Sequence, residues 1–149
     1  DPLDGLAFRK HWEEAAFTLG GRNYNAPAQG LQDFLAGREG VLPQLTSFCP
    51  GVRPAALREV LPLCVAEAMK AGLQLFERKM PGFICREAVL TGVETRTSSP
   101  VRIKRDEDGQ CLGIKGIYPC GEGAGYAGGI ISSALDGIAA AKRLSELFR

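Results

Sequence analysis

One histidine, His11, one tryptophan and two methionines stand in 149 residues, and no two cysteines are spaced as C-x-x-C. A single imidazole cannot build a His-rich metal cluster. The five cysteines, Cys49, Cys64, Cys85, Cys111 and Cys120, are odd in number and irregularly spaced, which argues against a disulfide framework and a zinc site alike. No metal site is expected, and the thiols read as those of a reduced, cytoplasmic protein. No apolar run approaches the roughly 18–20 residues of a membrane span, and no secretory apolar core follows the N-terminus. Neither sign of charge dominates: 18 Lys and Arg against 17 Asp and Glu leave +1. A nucleic-acid polyanion is therefore not the natural partner. What is present is a globular composition, 45% hydrophobic and 23% charged, with room for one ordinary domain or a little more. Glycine is abundant, at 19 residues, and it clusters toward the C-terminus.

Local signals divide the chain into a helical first part and a β-rich second part. Asp4 caps a helix to about Thr18, with Phe8, Trp12, Ala15, Ala16 and Leu19 along it, stopped by Gly20-Gly21. Pro27 is placed to open a second helix ending near Gly37. Residues 38–53 read as an irregular connection. A third helix is expected from Pro54 toward Lys79, with an apolar face of Leu57, Val60, Leu61, Cys64, Ala68 and Leu75. Met69 and Phe76 adjoin that face, and Pro62 kinks or splits the helix. Pro81-Gly82 ends this half. Strands are expected over Ala88–Thr95, Pro100–Arg105 and Ile114–Tyr118, with Asp106–Gly109 as a turn. A closing helix carries Ile130, Ile131, Ala134, Leu135, Ile138, Leu144 and Phe148. The fold class is α+β, a fragment of an α/β nucleotide-binding fold: helices, a small β-rich segment, then strand, glycine loop and helix.

The glycine loop holds most of the functional signal. Gly123, Gly125 and Gly128 spell G-x-G-x-x-G between an expected strand and an expected helix, the local context of a dinucleotide fingerprint. Glycines allow close approach of a ligand, and the unpaired N–H groups of a helix start attract electron-rich oxygens. A complete unit needs a second parallel strand with an acidic residue roughly 20 positions on. Here the sequence runs out after the helix, where Glu146 lies on the helix itself, so the ordinary dinucleotide reading fails on context. A strand followed by Gly-Glu and a glycine-rich helix start resembles instead the C-terminal, cofactor-closing segment of two-dinucleotide-binding flavoproteins. The alternative is a tight turn that packs a helix against a strand. The density of glycines from Gly113 to Gly129 favours ligand contact.

The resemblance becomes specific in Val93-Glu-Thr-Arg-Thr-Ser-Ser-Pro-Val-Arg-Ile103 and Gly116-Ile-Tyr-Pro-Cys-Gly-Glu-Gly-Ala-Gly-Tyr-Ala-Gly-Gly129. Together they resemble the end of the uncharacterised FAD-dependent dehydrogenase family, a bacterial group related to flavoproteins whose FAD domain carries an inserted domain. The likeness covers the whole chain, most tightly from about Val89 to Ala141. It implies that Gly121 and Glu122, with Gly123 beside them, meet the ribityl or pyrophosphate part of FAD. Gly128, Gly129 and Ile130 then lie near the pyrimidine edge of the isoalloxazine, and Thr97 and Ser98, with Ser99, near the flavin or its substrate side. Residues 1–87 become the helical tail of the inserted, substrate or cap domain, and residues 88–149 the C-terminal segment of the FAD-binding domain.

The strand–GxGxxG–helix unit that binds the ADP half of FAD has no counterpart upstream of Gly121. The chain is therefore expected to be a C-terminal piece whose partner is the missing N-terminal FAD-binding domain. Alone it is expected to be inactive, to bind FAD weakly or not at all, and to leave apolar faces open to homo-oligomer formation. The substrate, an unidentified small molecule, and the use of NAD(P)H are not specified by the residues, and no catalytic residue is assigned. Tyr126 can donate to a flavin or substrate oxygen or simply pack at the helix entrance. Arg96, Arg102, Lys104 and Arg105 read as a solvated basic strip. The competing class is a stand-alone binding or interaction module whose glycine loop holds an anion.

Overall fold

The computed structural model describes residues 1–42 and 46–147. Among these described residues, four α-helices and a three-stranded mixed sheet give an α+β architecture, the class expected. The residues fall into two compact units, Arg9–Thr95 and residues 1–8 together with those from Arg96 onward. None of the described helices is long and apolar enough to cross a membrane.

Helix α1 spans Asp4–Leu19 and stops at Gly20, whose position leaves no room for a Cβ against the Asn25 carbonyl. Pro27 opens no helix. It lies in strand β1, Ala26–Gly30, and the second helix, α2, is the short Leu31–Ala36 closed by a left-handed Gly37. A proline's fixed φ suits an extended segment as well as a first helical turn, and the pairing partners of β1 decide between them. Strand β2, Val52–Pro54, runs parallel to β1, and β3, Val89–Thr91, runs antiparallel on its other side. β1 is the centre of the sheet. Its carbonyls also receive neighbours beyond the ladder: Ala55 N–H donates to Ala28 and Gly92 N–H to Pro27.

The expected third helix divides at Pro62. A single 3₁₀ turn, Leu57–Glu59, precedes it, and α3 occupies Leu63–Lys79. This break resets the helical phase. The face drawn continuously across Pro62 therefore holds only in part: Leu57 and Val60 are buried, while Cys64, Ala68 and Leu75 are exposed. α3 turns Ala66, Met69 and Leu73 inward instead, onto Ala16, Leu31, Phe34, Leu57 and Val60. Glu77 ties off its end by accepting the N–H groups of Gly82 (2.9 Å) and Ile84 (2.7 Å), and these bonds hold its carboxyl below the usual range.

From Ala88 onward the expected strands are largely absent. Ala88–Thr95 is a strand only over β3. Pro100–Arg105 contributes one isolated bridge, Arg105 to Cys111, and Ile114–Tyr118 forms no strand. The reason is spacing: Gly109, Gly113 and Gly116 take φ of 86°, 81° and 80°, so the chain bends before a ladder can extend. The closing helix, α4, is Ile130–Leu147; Phe148 of its expected apolar face lies outside the described residues.

Gln29 is the buried polar residue at the centre of the sheet unit, 5% exposed. Its amide donates to the Arg38 carbonyl at 2.8 Å and its oxygen accepts the Leu57 N–H at 2.9 Å. β1 is thereby joined to the segment after α2 and to the 3₁₀ turn. Gln29→Leu leaves two backbone groups unsatisfied and should cost about 1–3 kcal/mol. The check is chemical denaturation followed by Trp12 fluorescence, with a lowered midpoint and unchanged slope expected.

Candidate functional site

Three segments that the sequence keeps apart are drawn together around Arg105. Its guanidinium forms a fork with the Asp136 carboxylate on α4, at 3.0 and 2.7 Å, and donates to the Pro119 carbonyl at 2.9 Å. The same group lies 3.6 Å from the centroid of the Tyr126 ring. Tyr126 completes the link: its hydroxyl accepts the Arg105 N–H at 3.2 Å and donates to the Ile103 carbonyl at 3.1 Å. Arg102 approaches the ring from 4.9 Å and donates to the Gly125 carbonyl at 2.9 Å. Asp136 also accepts the Gly121 N–H, at 2.8 Å. One carboxylate thus fastens the start of the glycine loop and the 103–105 segment to the same turn of α4. The Arg105 hydrogen bonds, followed by that of Gly121, hold the Asp136 carboxyl down from its ordinary 3.8 to about 2, against a smaller opposing effect of burial.

The glycines of the loop do different work. Gly125 has φ of 80°, and a Cβ there would meet the Val101 carbonyl and sit 2.9 Å from the Arg102 Cα. Its smallness lets the loop close on the 101–102 backbone, a packing role. Gly121 also adopts a positive φ, 70°, and its N–H is committed to Asp136, so its amide is not free for a ligand. The N–H of Gly129 is held by the Ser132 hydroxyl at 3.1 Å, the return half of a capping arrangement. Gly123 has open space where a Cβ would be, and Glu122 is exposed beside it. Among the described residues no hydrogen bond takes up the N–H groups of Gly123 and Gly128. Those of Ile130, Ile131 and Ser132 begin a helix and have no intrahelical acceptor.

Ser98 and Gly128 face each other across an open cavity of about 210 Å³, which Ser99, Arg102, Gly125, Tyr126 and Ala127 also line. A Cβ on Gly128 would stand 3.2 Å from the Ser98 hydroxyl oxygen. Of the residues singled out by sequence, Ser98, Ser99, Gly125, Tyr126 and Gly128 are brought together here. Thr97, Gly121, Glu122, Gly123, Gly129 and Ile130 do not line the cavity. Next to Gly121, the Ser133 hydroxyl is buried and finds no partner among the described residues. Arg105 and Asp136 escaped the sequence reading, the first taken as part of a solvated strip. The available signal was Asp136 itself, an acid within an otherwise uncharged stretch from Ile130 to Ala141. Cys120 is exposed, and among the described residues no His, Cys, Asp and Glu side chains group as a metal site.

Comparison with known proteins gives two findings. The family model described as "FAD-dependent protein, C-terminal domain-like" matches residues 1–97. An uncharacterised protein of Clostridium beijerinckii is 45% identical over 152 aligned positions, covering 99% of this chain. The chain spans only 28% of the length of that relative.

The Arg105–Asp136 pair should make the stability of its unit depend on acid. A carboxyl with a lowered folded pKa stabilises fully above the unfolded value of 3.8, and that contribution disappears as pH falls toward about 2. Asp136→Asn should lose about 2 kcal/mol or more at neutral pH, because Arg105 keeps its charge without a counter-ion. Its stability should then change less than that of the parent sequence between pH 4 and 2. Thermal unfolding of both proteins across that range checks the difference.

Proposed function

The chain belongs to the FAD-dependent protein, C-terminal domain-like family, and on that premise we propose that it is the C-terminal portion of an FAD-dependent oxidoreductase, a dehydrogenase. Its part is to supply contacts to the ribityl and isoalloxazine side of the flavin. The observation that carries this is the cavity between Ser98 and Gly128, at the start of α4, beside amides that nothing in the described chain engages. A bound flavin brings the electron- and hydride-transfer chemistry. The residues present suit one edge of such a group. The N–H groups of Gly128 and Ile130 would meet its carbonyl oxygens and Ser98 would offer a hydroxyl. Glu122 and Gly123 would serve the ribityl or pyrophosphate part. Gly121 would take its place there through its Cα, since its N–H is already bonded to Asp136 and its carbonyl accepts the Tyr126 N–H. Gly129 would allow close approach, and Thr97 would stand at the outer rim.

The cavity is smaller than the roughly 300–1,000 Å³ of a complete small-molecule site. That supports a shared site, in which a separate N-terminal FAD-binding domain of the parent holds the ADP half. In this reading residues 1–87 are the tail of an inserted domain and residues 88–149 close the FAD-binding domain. The parent is a cytoplasmic enzyme acting on a small molecule, with NAD(P)H as a candidate electron donor.

FAD titration followed by flavin fluorescence tests the proposal, using this chain and the longer parent, each with and without Gly128→Leu. Gly128 does not take a left-handed backbone, so the substitution adds no backbone strain, and its Cβ, 3.2 Å from the Ser98 hydroxyl oxygen, crowds the cavity at that side chain. The expected result is weak or no binding by the chain, tight binding by the parent, and at least a roughly tenfold loss in the parent variant. Equal binding by parent and variant would remove the cavity from the flavin site. A parent without FAD would end the flavoprotein reading.

A further inference from the structure

Helix α4 is amphipathic the wrong way round for a helix that closes its own unit. Its inward line is Ser133, Asp136, Ala140 and Leu144, small or ionic for the most part. Its large apolar residues point out: Ile130 is 89% exposed, Ile131 72%, Leu135 61% and Ile138 53%. Ile131, Leu135 and Ile138 follow the i, i+4, i+7 spacing of one helical face. The one charge between Ile130 and Ala141, on Asp136, is turned inward to Arg105. The outward stripe is thus free of charge for three turns, and among the described residues no helix or strand makes an extensive contact with α4.

We propose that this stripe is the docking surface for the remainder of a longer parent polypeptide, against an uncharged apolar face of that remainder. The inference rests on the reading of the chain as part of a larger flavoprotein. A relative matched over nearly the whole of this chain has almost three quarters of its length outside the match. Area separates this occupant from a second copy. Twelve residues of helix, about 18 Å long and 10–12 Å wide, present one face of a single helix, short of what a standard interface uses. A stable association of separate chains needs roughly 800 Å² from each partner. Covalent continuity supplies the effective concentration that lets so small a patch dock. Docking there also sets the start of α4, and with it the Ser98–Gly128 cavity, against whatever the remainder contributes to the site.

Maleimide labelling of Ile131→Cys and Ile138→Cys, read peptide by peptide by mass spectrometry, tests the surface in the chain alone and in the parent. Asp108→Cys, on an exposed polar turn, is the reference. The expected result is rapid labelling in the isolated chain, slowing by about tenfold or more at 131 and 138 in the parent, and little change at 108. Hydrogen exchange of the unsubstituted proteins guards against misfolded variants: amides of 131–140 should be slower in the parent. Equal labelling and exchange in both proteins would overturn the proposal. So would an isolated chain that elutes as a dimer with 131 and 138 already protected. FAD content is read separately by absorbance. Protection in a parent lacking flavin leaves the docking surface standing and removes the flavin reading, whereas a flavin-loaded parent with unprotected cysteines does the reverse.

Discussion

The fork between Arg105 and Asp136 is the contact on which the C-terminal unit depends. That unit has almost no sheet: from Arg96 to Gly129 the chain proceeds by turns, with one isolated bridge. Backbone ladders cannot hold such a segment, so side chains must. Arg105 gathers a carbonyl, a carboxylate and an aromatic face, and Asp136 gathers Arg105 and the Gly121 amide. Both side chains are mostly buried, at 14% and 18% exposed, where a charge-assisted bidentate pair is stronger and the loss of either partner more costly than at the surface.

This arrangement also shapes the candidate site. With Gly121 and Gly129 bonded internally, the groups left for a ligand include the amides of Gly123, Gly128 and the first turn of α4, with Ser98 nearby. Gly125, which reads in sequence as a member of a ligand-binding fingerprint, has a steric reason to be glycine: it closes on the backbone at Val101 and Arg102. A glycine-rich string can therefore serve two purposes at once, allowing close packing at one position and leaving open amides at others.

In the sheet unit the corresponding tie is Gln29, whose two hydrogen bonds join segments on either side of β1. The unit is otherwise a modest apolar cluster of Ala16, Leu31, Phe34, Leu57, Val60, Ala66 and Leu73. Exposed Leu63, Leu75 and Phe76 on α3 show that this helix, like α4, carries more apolar surface than its own unit covers.

Local chemistry alone was enough to read α1, the stop at Gly20, the break at Pro62, the end of α3 and the start of α4. Capping, proline sterics and glycine conformations act within four or five residues, so the sequence near each boundary contains the cause of that boundary. The α+β class was legible from local pattern, whereas the FAD-dependent C-terminal family was reached by resemblance in the 93–103 and 116–129 stretches, and the family model matches residues 1–97. Tertiary structure alone decided that Pro27 enters a strand, that α3 faces inward through Ala66 and Leu73, that the β-branched stretches at 100–105 and 114–118 do not pair, and that Asp136 meets Arg105. Each of these depends on a partner distant in the chain. Residue type specifies which bonds a side chain can make, whereas which group arrives to make them is set only when the chain has closed.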